Sequence, residues 1–382
     1  MLNKSLRWAA GLVLVASLAS GAWAQAPIKI GFHAGLTGPA AADGNAALAA
    51  ARVAIEQANA QGGIGGRKLA LVVEDDQGKP EQAAQVANRL IGEGVLAVIS
   101  AAYSAPARAA APVFQKARLP YVVAVSSAPE ITRGGDYMFR VTSVGEVQGR
   151  AAAKAMGELL HKKRIVLLTV KTDFGKALVA GFKEAAPRFG LEIVKEYEYA
   201  PTDRQFGPLI ASIKADNPQA IYATGFYFTG GPLVAQLRSA GVTADIMGAE
   251  SLSPQPFIDI AGPAAEGTVI TNVIDWGSQD PGIVDFLNRY KAATGTPAAA
   301  VAATTHAATT VLLAALRNAK SDEPARIRAA LETTEVMTVM GRVSFNKLRE
   351  VRKNFPLSIV RNGKWQRFGV IDDAGLLAPP EQ

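Results

Sequence analysis

The chain has 382 residues, 49% of them hydrophobic, with no cysteine and a formal charge of +7. This length exceeds one ordinary core and fits two domains, and the lack of cysteine excludes a disulfide scaffold and a thiol nucleophile. The charge is spread along the chain, with no Lys/Arg stripe interleaved with aromatics, so nucleic acid is not an expected partner.

The opening, MLNKSLRWAAGLVLVASLASGAWAQ, carries Lys4 and Arg7, an apolar run from Trp8 to Ala19 and the small-x-small triplet Ala22-Trp23-Ala24. The run is short for a bilayer span, and the pattern predicts a secretory signal peptide over 1–24, cut after Ala24. The product is expected to be exported to the periplasm and soluble. No cysteine stands at the cut for a lipid anchor, and no later segment reads as a membrane span. Loss of Lys4 and Arg7 leaves +5, a mild field that favours anions.

Apolar runs of strand length then alternate with helical segments. Ile28–Phe32 leads to a helix from about Gly44 to Ala60, and Leu69–Val73 to Pro80–Glu93, with Pro at its first turn and Gly94 as its stop. Val95–Ser100 leads to Pro106–Lys116, and Tyr121–Val125 follows. After a helix over Glu146–His161 the order restarts. Arg164–Thr169 precedes Gly175–Arg188, Leu191–Tyr199 precedes Gln205–Ala215, Ala220–Thr224 precedes Pro232–Ala240, and Asp245–Met247 closes the set. Strands without polar alternation, each separated by a helix, predict doubly wound parallel sheets covered on both faces. The restart predicts two similar α/β lobes.

Ligands of such sheets bind beyond the carboxyl ends of the strands. The loops after the third and fourth strands of each half read AAYSAPAR and SSAPE, then GFYFTGG and GAESLS. The first pair offers neutral hydroxyls at Ser104, Ser126 and Ser127, and Ser104 precedes the helix start at Pro106. Hydroxyls beside free helix amides suit a carboxylate. Turn chemistry alone explains Ser126 equally well. The second pair holds Phe226, Tyr227, Phe228 and Glu250. Aromatics suit an apolar body or an ammonium, although Tyr222 and Tyr227 read equally as core. Glu250 alone reads as a solvated loop residue; opposite a carboxylate clamp it becomes a partner for an ammonium, and the two together describe an α-amino acid.

Catalytic patterns are missing. The histidines, at 33, 161 and 306, lack metal-ligand spacing, and no HExxH, Walker A or GxSxG occurs. The glycines of QGGIGGRKL lie after a helix and before a strand, the reverse of a dinucleotide loop. No catalytic residue, metal or cofactor is expected. His306, in ATTHAAT on a helix, reads either as a cleft residue or as a satisfied structural histidine.

From about Ile28 to Asp372 the chain resembles the bacterial type I periplasmic binding proteins, the leucine/isoleucine/valine-binding group of ABC-transporter receptors. The motifs are Leu-Thr-Gly-Pro at 36–39, Gln-Gly-Gly-Ile-Gly-Gly at 61–66, Glu-Asp-Asp at 74–76, SSAPEIT, DFGKAL at 173–178 and QLRSAGV at 236–242. The resemblance implies a Venus-flytrap fold whose lobes are joined by three crossovers, near Thr142, Val273 and Glu350. It places one lobe at 27–142 and 275–349 and the other at 143–274 and 350–372. It also implies a carboxylate-binding hydroxyl at Ser104, a backbone amide at Val125 with the hydroxyl of Ser127 beside it, and aromatics at Phe174 and at Phe226 or Tyr227. The ammonium-binding acid would be Glu250. Asp43 and His306 fall at pocket positions where the family often has aromatic residues, and the disulfide some members close near Tyr103 cannot form. These departures bear on which side chain is bound. The expected partners are a small-molecule ligand, an amino acid or related carboxylate, and a membrane permease, with the receptor a monomer. The ligand expected first is a branched-chain or other hydrophobic amino acid. An aromatic acid or an amide, a binder feeding a sensor, and an exported α/β hydrolase are the alternatives.

Overall fold

The computed structural model describes residues 26–380; the expected signal peptide and its cleavage site lie outside the described residues. The first half runs β1 (Ile28–Ala34), α1 (Ala41–Ala60), β2 (Leu69–Asp75), α2 (Pro80–Gly92), β3 (Val98–Ser100), α3 (Ser104–Lys116), β4 (Tyr121–Val123), α4 (Glu130–Arg133) and β5 (Met138–Arg140). The second runs α5 (Gly145–Lys154), β6 (Arg164–Val170), α6 (Asp173–Ala185), β7 (Glu192–Tyr199), α7 (Gly207–Asp216), β8 (Ala220–Ala223), α8 (Tyr227–Ser239), β9 (Asp245–Gly248), α9 (Gln255–Ala261) and β10 (Val269–Thr271). The chain then crosses back through α10 (Pro281–Thr294), α11 (Ala300–Ala319), α12 (Pro324–Glu332) and the hairpin β11 (Val336–Thr338)–β12 (Gly341–Val343), and ends in β13 (Phe355–Arg361) and β14 (Lys364–Ile371).

The repeat is one of topology. The first sheet has the order β2-β1-β3-β4-β5 and the second β7-β6-β8-β9-β10, the same winding with one more parallel strand than the sequence indicates in each half. The second sheet is extended by β13 and β14, which run antiparallel and make it mixed. Two three-residue strands, β5 and β10, fall below the length at which an apolar run is distinctive. Burial explains the unbroken apolar runs, since β1 is buried along almost its whole length between helices.

The hydrophobic residues of α10, α11 and the β11–β12 hairpin pack in one core with β1 and α1, whereas Phe355, Leu357, Leu376 and Leu377 pack in the other with β6 and β8. Helix α11 is, among the described residues, the one helix long and apolar enough to cross a membrane. It is instead a core helix, with Val301, Leu312 and Leu316 buried. Helices α5 and α6 touch backbone to backbone: a Cβ at Gly149 would lie 2.0 Å from the Leu178 carbonyl, and one at Gly181 lies 1.9 Å from that of Glu146. Only glycine permits this approach, which sets Gln148 of α5 beneath the second sheet's strand ends.

Candidate functional site

The strand ends of both sheets meet at a small, half-open cavity of about 30 Å³, beside a wider one of about 280 Å³ that shares Tyr103, Ser104, Phe174 and Phe226 with it. The wall of the small cavity joins Asp43, Tyr103, Ser104, Val125 and Ser126 from the first half to Phe174, Phe226, Glu250 and Ser251 from the second, with Val301 of α11. Contacts across the cleft hold the halves together. Tyr103 stacks on Phe226 at 4.7 Å between ring centroids and 9° between planes. Phe226 stacks in turn on Phe174 and Phe228, each at 5.3 Å. The Tyr227 hydroxyl donates to the Pro39 carbonyl at 2.6 Å, and Arg108 pairs with Asp173 at 2.9 Å.

The opening of the cleft is shaped by one buried cation. Strand β4 ends at Val123, two residues sooner than its apolar run. Arg140, fully buried at the end of β5, donates to the carbonyls of Ser126 and Ala128 and draws the chain out of the sheet. Its Nε bonds Glu350 at 2.9 Å, and Glu350 also accepts from the Thr132 hydroxyl. Arg140 thus ties the loop after β4 to the segment by which the chain makes its last crossing. In that loop Ser126 Oγ lies 3.2 Å from Ser104 Oγ. Helix α3 opens at Ser104 itself, two residues before Pro106, with Tyr103 at the cap position, its side chain making no bond to the helix's own amides. The free amides of its first turn therefore start at the cavity wall.

Two acids face this cavity. Asp43, in the first turn of α1, is 3% exposed. Burial pushes its carboxyl up to about 7, against the Tyr103 hydroxyl that donates to Oδ2 at 2.5 Å and with the Glu250 charge adding to the rise. Burial also raises Glu250, opposed by the Gln148 amide that donates to it and by the charge of Lys353. Lys353 is buried between the lobes, its Nζ donating to the Val273 carbonyl at 3.3 Å, and burial pulls it down to about 7 against the pull of Glu250.

Of the residues singled out from the sequence, Ser104, Val125, Phe174, Phe226, Glu250 and Asp43 meet at this cavity. Tyr227 stands beside it as a bridge between lobes. Ser126, not Ser127, forms the wall; the Ser127 hydroxyl is buried without a hydrogen-bond partner among the described residues, while its carbonyl accepts from Gly145 at 3.0 Å. His306 belongs elsewhere. It lies 4.6 Å from the Phe286 ring and lines a separate cavity with Gln57, Asp285 and Arg317, because α11 turns that face toward α1 and α10. Burial lowers its imidazole to about 4. Sequence reasoning missed Tyr103, Gln148, Lys353 and Arg140. Tyr103 adjoins Ser104 in a loop already chosen, and its aromaticity was the available signal. The others are polar residues whose burial is decided by partners far along the chain.

A family model described as periplasmic binding protein matches residues 27–361. A Leu/Ile/Val-binding protein of Citrobacter freundii is 30% identical over 359 residues, covering 94% of this chain and 96% of its own. Among solved structures, a leucine-binding protein of Thermotoga maritima superposes with a TM-score of 0.86 at 27% identity, covering 91% of this chain and 99% of its own. The branched-chain amino acid substrate-binding protein of Streptococcus pneumoniae, solved with isoleucine, gives 0.86 at 26% identity, covering 90% of this chain and all but 1% of its own.

Proposed function

The chain belongs to the periplasmic binding protein family, and from that premise we propose that it is the exported receptor of an ABC importer. It binds a small carboxylate ligand by closure of its two lobes, with branched-chain and similarly sized amino acids first in line. The lobes would be 27–142 with 275–349 and 143–274 with 350–372, a division that follows the two cores except at the crossings, where Val273, Ile274 and Val351 pack in the first. The observation that carries the ligand reading is the polarity of the cavity. Neutral hydroxyls and the free amides of α3 stand on one lobe, and the Glu250 carboxylate stands on the other. Hydroxyls and amides orient a carboxylate through charge-assisted bonds. Glu250 takes an ammonium, and Phe226 and Phe174 cover the apolar body.

The receptor does no chemistry on its ligand. Its output is a closed surface that a membrane permease reads, and it acts as a monomer in the periplasm. A cavity of about 30 Å³ has room for little more than a water or two. An amino acid seated against Glu250 would need the lobes to part, and closure over it is the event the permease detects. Small-angle scattering with calorimetry tests this. A saturating amino acid should reduce the radius of gyration of the free protein. Binding with no change in size would remove closure, and binding confined to benzoate-like acids would remove the amino-acid reading.

A further inference from the structure

Asp43 has no task in the amino-acid reading as it stands. It lies 3% exposed in the wall of the cavity that Glu250 lines. An acid in the first turn of a helix ordinarily interacts with free backbone N–H groups, yet no backbone amide among the described residues donates to Asp43. One oxygen, Oδ2, accepts the Tyr103 hydroxyl at 2.5 Å; the other, Oδ1, is buried without a hydrogen-bond partner among the described residues. Asp43 makes no salt bridge among the described residues. A buried carboxylate oxygen without a donor is costly, and the cost falls when a donor reaches it.

We propose that Asp43 is a specificity determinant that selects, among amino acids of branched-chain size, those whose side chain carries a hydrogen-bond donor. The proposal rests on the amino-acid reading and narrows it. With the seryl hydroxyls on the α-carboxylate and Glu250 on the α-ammonium, the side chain is the part of the ligand left to meet Asp43. An aliphatic side chain covers Oδ1 without bonding it and keeps the burial cost. A hydroxyl, an amide or an ammonium removes that cost, and a site built on a buried polar group rejects the analogue that lacks the matching donor. Tyr103 completes the arrangement: its hydroxyl fixes Oδ2 while its ring is held against Phe226, so Oδ1 is presented in one orientation.

The test is calorimetry of the purified protein at pH 8, where the Asp43 carboxyl, raised to about 7, is mostly ionised and Oδ1 can only accept, with two near-isosteric pairs, valine with threonine and leucine with asparagine, and with 2,4-diaminobutyrate as the ammonium arm. The wild type should bind a donor-bearing member roughly 10- to 100-fold more tightly than its apolar twin. Asp43→Leu should bring that ratio to unity or invert it. Asp43→Asn should keep recognition of threonine, because an amide oxygen still accepts, and lose any preference for diaminobutyrate. Valine and leucine binding the wild type as tightly as their polar twins overturns the proposal without any variant needing to fold. That outcome leaves the receptor reading intact. If none of the five amino acids binds, the amino-acid reading falls and this proposal with it.

Discussion

Replacing Glu250 with Gln removes one buried charge from the cleft and keeps the shape of the side chain. The carboxylate accepts from the Gln148 amide, and among the described residues it makes no salt bridge. Lys353 acts on it only through space, its Nζ being occupied by the Val273 carbonyl and, at 3.1 Å, by the Met340 sulfur. A ligand ammonium would be the first cation in direct contact. Two unit charges about 4 Å apart at an effective dielectric near 20 attract by about 4 kcal/mol, and truncating one member of a buried pair costs ~2–5 kcal/mol. Glu250→Gln should weaken an amino acid by that amount, roughly 30- to 5,000-fold in Kd. The assay is calorimetry with an amino acid and with the same acid lacking its amino group: leucine with 4-methylpentanoate, or threonine with 3-hydroxybutyrate. Measured on both proteins, these close a double cycle. The deaminated acid should bind the variant no worse than the wild type, and better to the extent that its carboxylate is repelled by Glu250. Equal losses for both ligands would refute the ammonium role and leave Glu250 as a companion of Lys353 between the lobes.

Two further outcomes follow from buried charges. Arg140→Met leaves Glu350, 2% exposed, without its cation and frees the carbonyls of Ser126 and Ala128. Urea unfolding should show a loss of about 3–5 kcal/mol, whereas a loss under 1 kcal/mol would mean that the pair is replaceable. Asp43 is held near 7 in the fold against 3.8 as a free side chain, so the native state keeps a proton that the unfolded chain releases. Stability from this group is greatest below about pH 4 and is lost as pH rises through 7, on the order of 4 kcal/mol across the window. Ligand-free Asp43→Asn should therefore lose less melting temperature than the wild type between pH 5 and pH 8; parallel curves would contradict the assignment.

The opening strands were legible because burial on both faces leaves an unambiguous apolar run, and the loops mattered because a parallel sheet offers its ligand site only at one edge. Ser104, Phe226 and Glu250 could be chosen on that ground, since each follows the third or fourth strand of its half. The rest depended on contacts that no local pattern encodes. Arg140 and Glu350 lie 210 positions apart, Gln148 and Glu250 lie 102 apart, and composition alone assigns all four to the surface. His306 was ambiguous for the opposite reason. Helix α11 is buried on nearly every side, so its periodicity does not say which face looks into the cleft and which toward α10. Asp43 is the informative intermediate. Its sequence context, Ala41-Ala42-Asp43-Gly44, reads as an ordinary helix start, and an acid there is favoured by the helix dipole alone. Only the fold reveals that Asp43 lines the same cavity as Glu250, and that Tyr103 holds one of its oxygens while the other has no hydrogen-bond partner among the described residues. A residue chosen only to start a helix would turn that oxygen to solvent or to its own backbone. Asp43 does neither, and the valine–threonine comparison on the unmodified protein decides whether that oxygen serves a ligand or only the fold.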